Sequence, residues 1–424
     1  MITLIIVIFI VGYVAIAFEH PLKLNKAASA LITGVLCWTV YVLGNNGNHE
    51  AHEALITHLG DISSILFFLL GAMTVVELID MHSGFDFITQ KIKTKKKPAL
   101  LLLVAALTFF LSALLDNLTT AIVMVSLSSK LLTTREDRLW FAGMIVIAAN
   151  AGGAWSPLGD VTTTMLWIGG QITALSIIKQ LLLPSMVVCI VPALMMAYRF
   201  RGKTIEAKEI DATTEEEKQD GRIMLFTGIG LLLFVPVFKS LTGLPPFMGM
   251  LLALGMMWIV TTRLHQQKET ALAQRLTVTR ALEKIDTSSI LFFLGILLAV
   301  SALQSAGVLK ELALFLSRNL HNDYSIGIAL GLLSSVVDNV PLVAAAQGMY
   351  DLATYPTDHM FWEFLALTTG TGGSAIIIGS AAGVAVMGIE QVDFGWYLKR
   401  ISWLALVGFA AGVLVYIIQH QLQF

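Results

Sequence analysis

Charge is what this sequence has least of. Only 13% of its 424 residues are Asp, Glu, Lys or Arg, while 56% are hydrophobic. Ordinary soluble domains carry roughly 25% charged residues, so this balance excludes a soluble globular chain and points to a polytopic membrane protein. Cysteine is nearly absent: Cys37 and Cys189 both fall inside apolar runs, so no disulfide framework is expected. The nine histidines form no HxxxH or CxxC-type pattern, so neither a zinc site nor another cofactor is expected. No basic tract is long enough, or interleaved with aromatics, to bind nucleic acid. Residues 1–18 lack a basic n-region and a small-residue cleavage site, and read as a retained helix rather than a signal peptide.

What is present is apolar chain in spanning lengths of about 17–25 residues. Such segments fall near 2–18, 27–43, 62–81, 174–198, 222–240, 244–262, 287–303 and 401–419. Four further stretches are interrupted. The sequence LLDNLTTAIVM splits 98–115 from 117–133, and SSVVDNVPLVAAA splits 324–337 from 340–352. The runs 139–170 and 360–390 are too long for one helix and are broken by AANAGGAWSPLGD and TTGTGGSAIIIGS. Glycine, proline and polar side chains at membrane depth are tolerated only where the backbone is buried in protein or lines a cavity. The spacing predicts an all-α fold with two helical hairpins, 98–133 and 323–352, and two broken helices.

Reading both hairpins as re-entrant puts all 27 Lys and Arg except Lys179, Lys239, Lys310 and Arg318 on one face. Positive-inside reasoning makes that face cytoplasmic, with both termini and loop 45–60 outside. The chain also repeats itself. GDISSILFFLLG at Asp61 returns as IDTSSILFFLG at Asp286, an offset of 225; Asp116 returns as Asp338, an offset of 222; Gly152 returns as Gly372, an offset of 220. With the orientation above the repeat is inverted, and such transporters place their substrate between the repeats near the bilayer midplane. The first repeat is 1–198 and the second 222–424, with a solvated cytoplasmic linker at 199–221. Amphipathic surface helices are expected at 82–97, its lysines facing lipid head groups, and at 266–284.

An ionisable residue at membrane depth marks a functional site by default. Asp116, Asn117 and Thr119 supply oxygens at the first hairpin tip; Asn150, Ser156, Asp160, Thr162 and Thr163 cluster at the first break. The second half supplies Ser334, Ser335, Asp338, Asn339, Thr371 and Ser374. Asp160 aligns with Ser380 and Asn150 with Gly370, so the acids concentrate in the first half. Such a set suits a monovalent cation, with Na⁺ expected at Asp116, Asn117, Asp160 and Asn339. It equally suits a proton: burial favours the protonated carboxyl and a bound cation the carboxylate, so the two compete. Each acid has a structural alternative as well. Asp116 can brace its hairpin tip, Asp160 can cap the half-helix after Gly159, and Asp338, followed by Pro341, can cap its helix. Asp61 and Asp286 read as N-caps, and His49, His52 and His58 as solvated. Glu77, Asp80 and His82 form either a proton-relay or pH-sensing group or a solvated helix end.

The runs FFLLGAMTVVELID, FFLSALLDNLTTAIVMVSL, VIAANAGGAWSPLGDVTTTMLWIGGQI and SSVVDNVPLVAAA resemble the NhaD-type Na⁺/H⁺ antiporters of the ion transporter superfamily. The resemblance covers nearly the whole chain. It implies exchange of Na⁺ or Li⁺ for protons across a bacterial inner membrane or an organelle equivalent. It implies also a homodimer of scaffold and transport domains with elevator-like movement. Asp116, Asn117, Asp160, Thr162, Thr163 and Asn339 match positions the family associates with ion binding. Two other classes fit the residues less well. A Na⁺-coupled organic-anion symporter or anion-efflux carrier on the same scaffold would favour uncharged hairpin tips and arginine at depth. An aspartyl protease would need two close carboxylates sharing a proton, but Tyr350-Asp351 falls at the outer end of a hairpin and Pro157 replaces a motif glycine. The chain is therefore not expected to be an enzyme.

Overall fold

The computed structural model describes residues 1–17, 19, 23–44, 49–85, 94–205, 215–265, 276–320 and 322–422. Among them are nineteen α-helices. The first half holds α1 (Ile2–Ala17), α2 (Lys26–Gly44), α3 (His49–Met81), α4 (Lys97–Leu115), α5 (Asn117–Leu131), α6 (Arg135–Ala154), α7 (Val161–Ile168) and α8 (Ala174–Arg199). The second holds α9 (Glu215–Thr242), α10 (Pro246–His265), α11 (Val278–Lys284), α12 (Thr287–Ser305), α13 (Val308–Leu320), α14 (Asp323–Leu333), α15 (Asn339–Met349), α16 (Met360–Gly372), α17 (Ala381–Glu390), α18 (Phe394–Arg400) and α19 (Ser402–Leu422). No strand occurs among the described residues; one isolated bridge joins Lys96 to Thr204.

Eight of these helices are long and apolar enough to cross a membrane, and large apolar side chains such as Val11, Ile32, Phe226, Ile259 and Leu414 point outward from the bundle. An aqueous surface would not tolerate that much exposed hydrocarbon, whereas lipid would. The chain is a multi-pass, all-α membrane protein. Both hairpins are present, α4–α5 and α14–α15, and so are both broken helices, α6–α7 and α16–α17. α1 is 16 residues long and falls short of the spanning set, whereas α4, the first arm of its hairpin, meets it.

The two halves make the same contacts. Ser112 Oγ donates to Ala149 O (2.6 Å), and its counterpart Ser334 Oγ donates to Thr369 O (2.7 Å). A Cβ on Gly152 would lie 2.2 Å from Phe109 O, and one on Gly372 would lie 2.0 Å from Gly331 O. Each broken helix thus rests directly on the backbone of its own hairpin, which only glycine permits. The apolar interior forms two clusters. One, around α1, α2 and α12, takes in Met165 of α7 and Val340 and Ala344 of α15. The other fills the bundle of hairpins and broken helices.

Several expectations need correction. Asp61 is not an N-cap: α3 begins twelve residues earlier at His49, and Asp61 is an exposed mid-helix residue. Most of the expected outer loop 45–60 is therefore helix, because polar residues one turn apart can sit on a wet helix face. Asp286 does cap α12, accepting from Ser289 N. His58 is half-buried, bonded to Ser305 (3.2 Å) and packed on Trp38, rather than solvated. The linker expected at 199–221 becomes helical from Glu215. Residues 206–214 of that linker, 86–93 of the first surface helix and 266–275 of the second lie outside the described residues; α11 is the described end of the second.

Overpacking at a close contact costs about 1–3 kcal/mol. Gly152→Ala and Gly372→Ala are each expected to lower the melting temperature in detergent. Gly230→Ala, whose Cβ would meet nothing within 4 Å, is expected to hold or raise it. Equal melting temperatures for all three would count against the shared packing.

Candidate functional site

Four helix N-termini converge where the hairpins meet the breaks. α5 is capped by Asp116, α7 by Asp160, α15 by Asp338 and α17 by Ser380, each side chain accepting from its own first-turn amides. The backbone at Asp160 (φ −147°, ψ 148°) and at Ser380 (φ −145°, ψ 153°) is nearly the same, as expected of equivalent positions. Free amides and aligned dipoles make each terminus a centre of partial positive charge. Three carboxylates placed on them therefore remain tolerable so deep in the molecule.

Asp160 is the centre. It is 1% exposed, and its carboxylate accepts from both hairpins. Asn117 Nδ2 of α5 donates to Oδ2 at 2.8 Å, and Asn339 Nδ2 of α15 reaches Oδ2 at 3.0 Å and Oδ1 at 3.3 Å. Thr162 N adds 3.0 Å to Oδ1. Asn150 extends the network: its Oδ1 accepts from Asn117 (3.1 Å), and its Nδ2 donates to Ser374 Oγ and Ser380 Oγ, both at 2.9 Å. Thr162 Oγ1 is buried beside the same carboxylate. No described Lys or Arg forms an ion pair with Asp116, Asp160 or Asp338.

Asp116 and Asp338 are half-buried and turned toward their own helices. Asp116 Oδ1 accepts from Thr119 N and Oδ2 from Thr119 Oγ1, both at 2.8 Å; Asp338 Oδ1 accepts from Val340 N at 3.3 Å. Asp116 does this with φ 80° and ψ 158°, a region essentially reserved for glycine and costing about 1–3 kcal/mol. Other expected ligands point elsewhere. Ser156 Oγ donates to Ala113 O, Thr163 Oγ1 to Asp160 O, Ser335 Oγ to Leu332 O and Thr371 Oγ1 to Leu367 O. These four close helix ends and hairpin contacts. Ser380, which the repeat aligns with Asp160, joins the network through Asn150.

Glu77, Asp80 and His82 are remote from this centre. Glu77 pairs with Lys284 of α11 (3.4 Å). His82 Nδ1 bonds Leu78 O, and its Nε2 lies 3.0 Å from Nε2 of His265 in a stacked pair. Two clefts lie along opposite ends of α15. The larger, about 480 Å³, runs between α3 and α12 on one side and α7 and α15 on the other, with Asp61, Ser301 and Gln347 in its wall. The smaller, about 60 Å³, touches Asp338 together with Tyr13, Glu19 and Lys26.

The amides give this arrangement its chemistry. Asparagine both donates and accepts, so rotating Asn117 or Asn339 replaces an N–H on Asp160 by a carbonyl oxygen. With Thr162 Oγ1 and a carboxylate oxygen, that makes an oxygen set suited to a hard monovalent cation; with a proton on Asp160, the amide oxygens accept it instead. Because Asp116 is strained, Asp116→Ala should be less stable in detergent than Asp116→Gly by about 1–3 kcal/mol. Equal melting temperatures would mean that residue 116 is unstrained.

Residues 7–372 match the family described as citrate transporter (CitMHS). Among curated proteins, the chain is 44% identical to "Sodium/proton antiporter 2" of Arabidopsis thaliana over 98% of this chain and 99% of that one. It is 49% identical to "Sodium/proton antiporter 1" of the same plant, over 98% and 72%. With "Na(+)/H(+) antiporter NhaD" of Vibrio cholerae it shares 30% identity, over 98% and 91%. In fold it matches the crystal structure of the Alcanivorax borkumensis YdaH transporter, at a TM-score of 0.58 and 11% identity over 94% of this chain and 99% of that one. These relatives are transporters rather than enzymes, and this chain belongs to the NhaD family of membrane antiporters, within the wider family of the citrate transporter match.

Proposed function

We propose that the protein exchanges Na⁺ or Li⁺ for H⁺ across its membrane, the two competing for Asp160 with Asp116 as the second acid. The observation that carries this is the single carboxylate of Asp160, bonded by Asn117 and Asn339 from opposite halves, with no described cation paired to it. The clefts at the two ends of α15 support alternating access, and the seam where Met165, Val340 and Ala344 meet the α1–α2–α12 cluster supports sliding of one body against the other. On this reading the hairpins are re-entrant, the repeats are inverted and the working unit is a homodimer in lipid. The membrane is a bacterial inner membrane or its organellar equivalent, in keeping with relatives from bacteria and a plant.

The family match described as a citrate transporter favours a second reading, Na⁺-coupled transport of an organic anion. Three carboxylates at the meeting point of the hairpins argue against it, since they would repel a polyanion and no described arginine offsets them there.

The test is dissipation of a pH gradient in proteoliposomes by Na⁺, Li⁺, K⁺ and citrate. Na⁺ and Li⁺ are expected to move protons, and citrate is not. Losing a buried charged partner costs about 2–5 kcal/mol, so Asp160→Asn should reduce Na⁺-driven proton flux on the order of a hundredfold. Wild-type flux from Asp160→Asn at equal protein level would sink the proposal; citrate uptake coupled to Na⁺ would establish the second reading.

A further inference from the structure

One buried acid plays no part in the ion site. Glu363 lies in the first turn of α16 and is 3% exposed. Along the chain it is eleven residues from Ser374, about 16 Å at 1.5 Å per residue. Its hydrogen-bond partners come from two other helices. Ser176 Oγ of α8 is 2.6 Å from Oε1, and Tyr416 Oη of α19 is 3.1 Å from Oε2. Tyr416 Oη is also 3.2 Å from Met360 O, the carbonyl at the start of α16.

Counting protons favours one arrangement, since Met360 O has a helical donor of its own but Tyr416 Oη lies within reach of both it and Glu363. Met360 O can only accept, and the phenol carries one proton. If Glu363 is ionised, Tyr416 must divide that proton between two acceptors. If Glu363 is a carboxylic acid, every group is satisfied: Ser176 O–H donates to Oε1, Oε2–H donates to Tyr416 Oη, and Tyr416 O–H donates to Met360 O. No described Lys or Arg pairs with Glu363. The other titratable groups facing it are Asp358 and His359 of the preceding loop, His420 of α19, stacked on Tyr416, and Tyr324 of α14, bonded to His420 at 2.9 Å. Lys179, one turn along α8 from Ser176, is exposed.

We propose that Glu363 is a second proton-binding site, separate from the ion site, whose occupancy sets the position of α16 and thereby the Ser374–Asn150 contact. When the proton leaves for water at the end of the bundle where α8 and α16 begin, Tyr416 turns its O–H to the carboxylate. Met360 O then keeps only its helical donor, and the hold of α19 on the first turn of α16 passes from the backbone to the Glu363 side chain, which lets α16 shift against α19. The other end of that half-helix leads to Ser374, which holds Asn150.

Infrared difference spectroscopy of the full-length protein in lipid tests the proton site without reference to the transported ion. A carboxylic-acid C=O band at neutral pH that shifts in deuterated water is expected in the wild type, in Asp116→Asn and in Asp160→Asn, and should be missing from Glu363→Gln. The same band persisting in Glu363→Gln would overturn the proposal. The second arm rests on Na⁺/H⁺ exchange: the pH profile of Na⁺-driven proton flux should lose one titration step in Glu363→Gln, and Tyr416→Phe should shift that step. A Glu363→Gln profile that superposes on the wild type, with the band absent, would overturn the link to α16 while leaving the proton site and the antiport reading standing.

Discussion

The hydrogen bonds from Asn117 and Asn339 to Asp160 are the constraint around which the rest is arranged. A carboxylate 1% exposed at membrane depth is costly unless it is hydrogen-bonded on all sides. The chain meets that cost by bringing one amide from each hairpin to the same oxygen, Asp160 Oδ2. Neither hairpin alone completes the shell. The halves are therefore held in register by a polar contact at their centre, and any change in what Asp160 carries is felt by both tips at once.

The breaks follow from the same requirement. A continuous helix would consume its own amides; ending α4, α6, α14 and α16 and restarting α5, α7, α15 and α17 frees first-turn N–H groups to face the acids. Close approach of each broken helix to its hairpin, through Gly152 and Gly372, keeps those ends from being pulled apart. Strain is concentrated at Asp116, where a side chain occupies a glycine conformation so that the carboxylate can cap α5 and remain at the tip. The cost of function is thus local, and the apolar clusters on either side hold it in place.

Much of this was readable from the residues. Asp-Asn inside apolar runs, Gly-Gly followed by Gly-Asp, and offsets that drift by only a few residues located both hairpins and both breaks closely. The alignment of Asp160 with Ser380 already made the site asymmetric; that Asp160 takes amides from both hairpins while Asp116 turns to its own helix is set by side-chain direction. Sequence spacing places Thr163, Thr371 and Ser335 near the site, but each turns back to a carbonyl of its own segment, because a buried hydroxyl takes the nearest acceptor. Asp61 misled for another reason: the polar stretch before it reads as loop, yet a long helix can carry a polar face past the core. Glu363 stood in the open as an acid among aromatics, and His265 as the partner of His82 had no signal at all, since pairing across helices leaves no mark on local sequence.

Gly370 sits where the first half has Asn150, and a Cβ there would lie 3.3 Å from Ala154 Cβ and 3.9 Å from Asp160 Oδ2. The second half thus makes room for the charge that the first half supplies. A protein assembled from two identical copies could not do this. Two aspartates would set two buried carboxylates on the same pair of hairpin amides, Asn117 and Asn339, and two serines would leave that pair with none. If the chain arose by duplication, positions 370 and 380 are where the two copies had to diverge for a single carboxylate to sit between the hairpin tips.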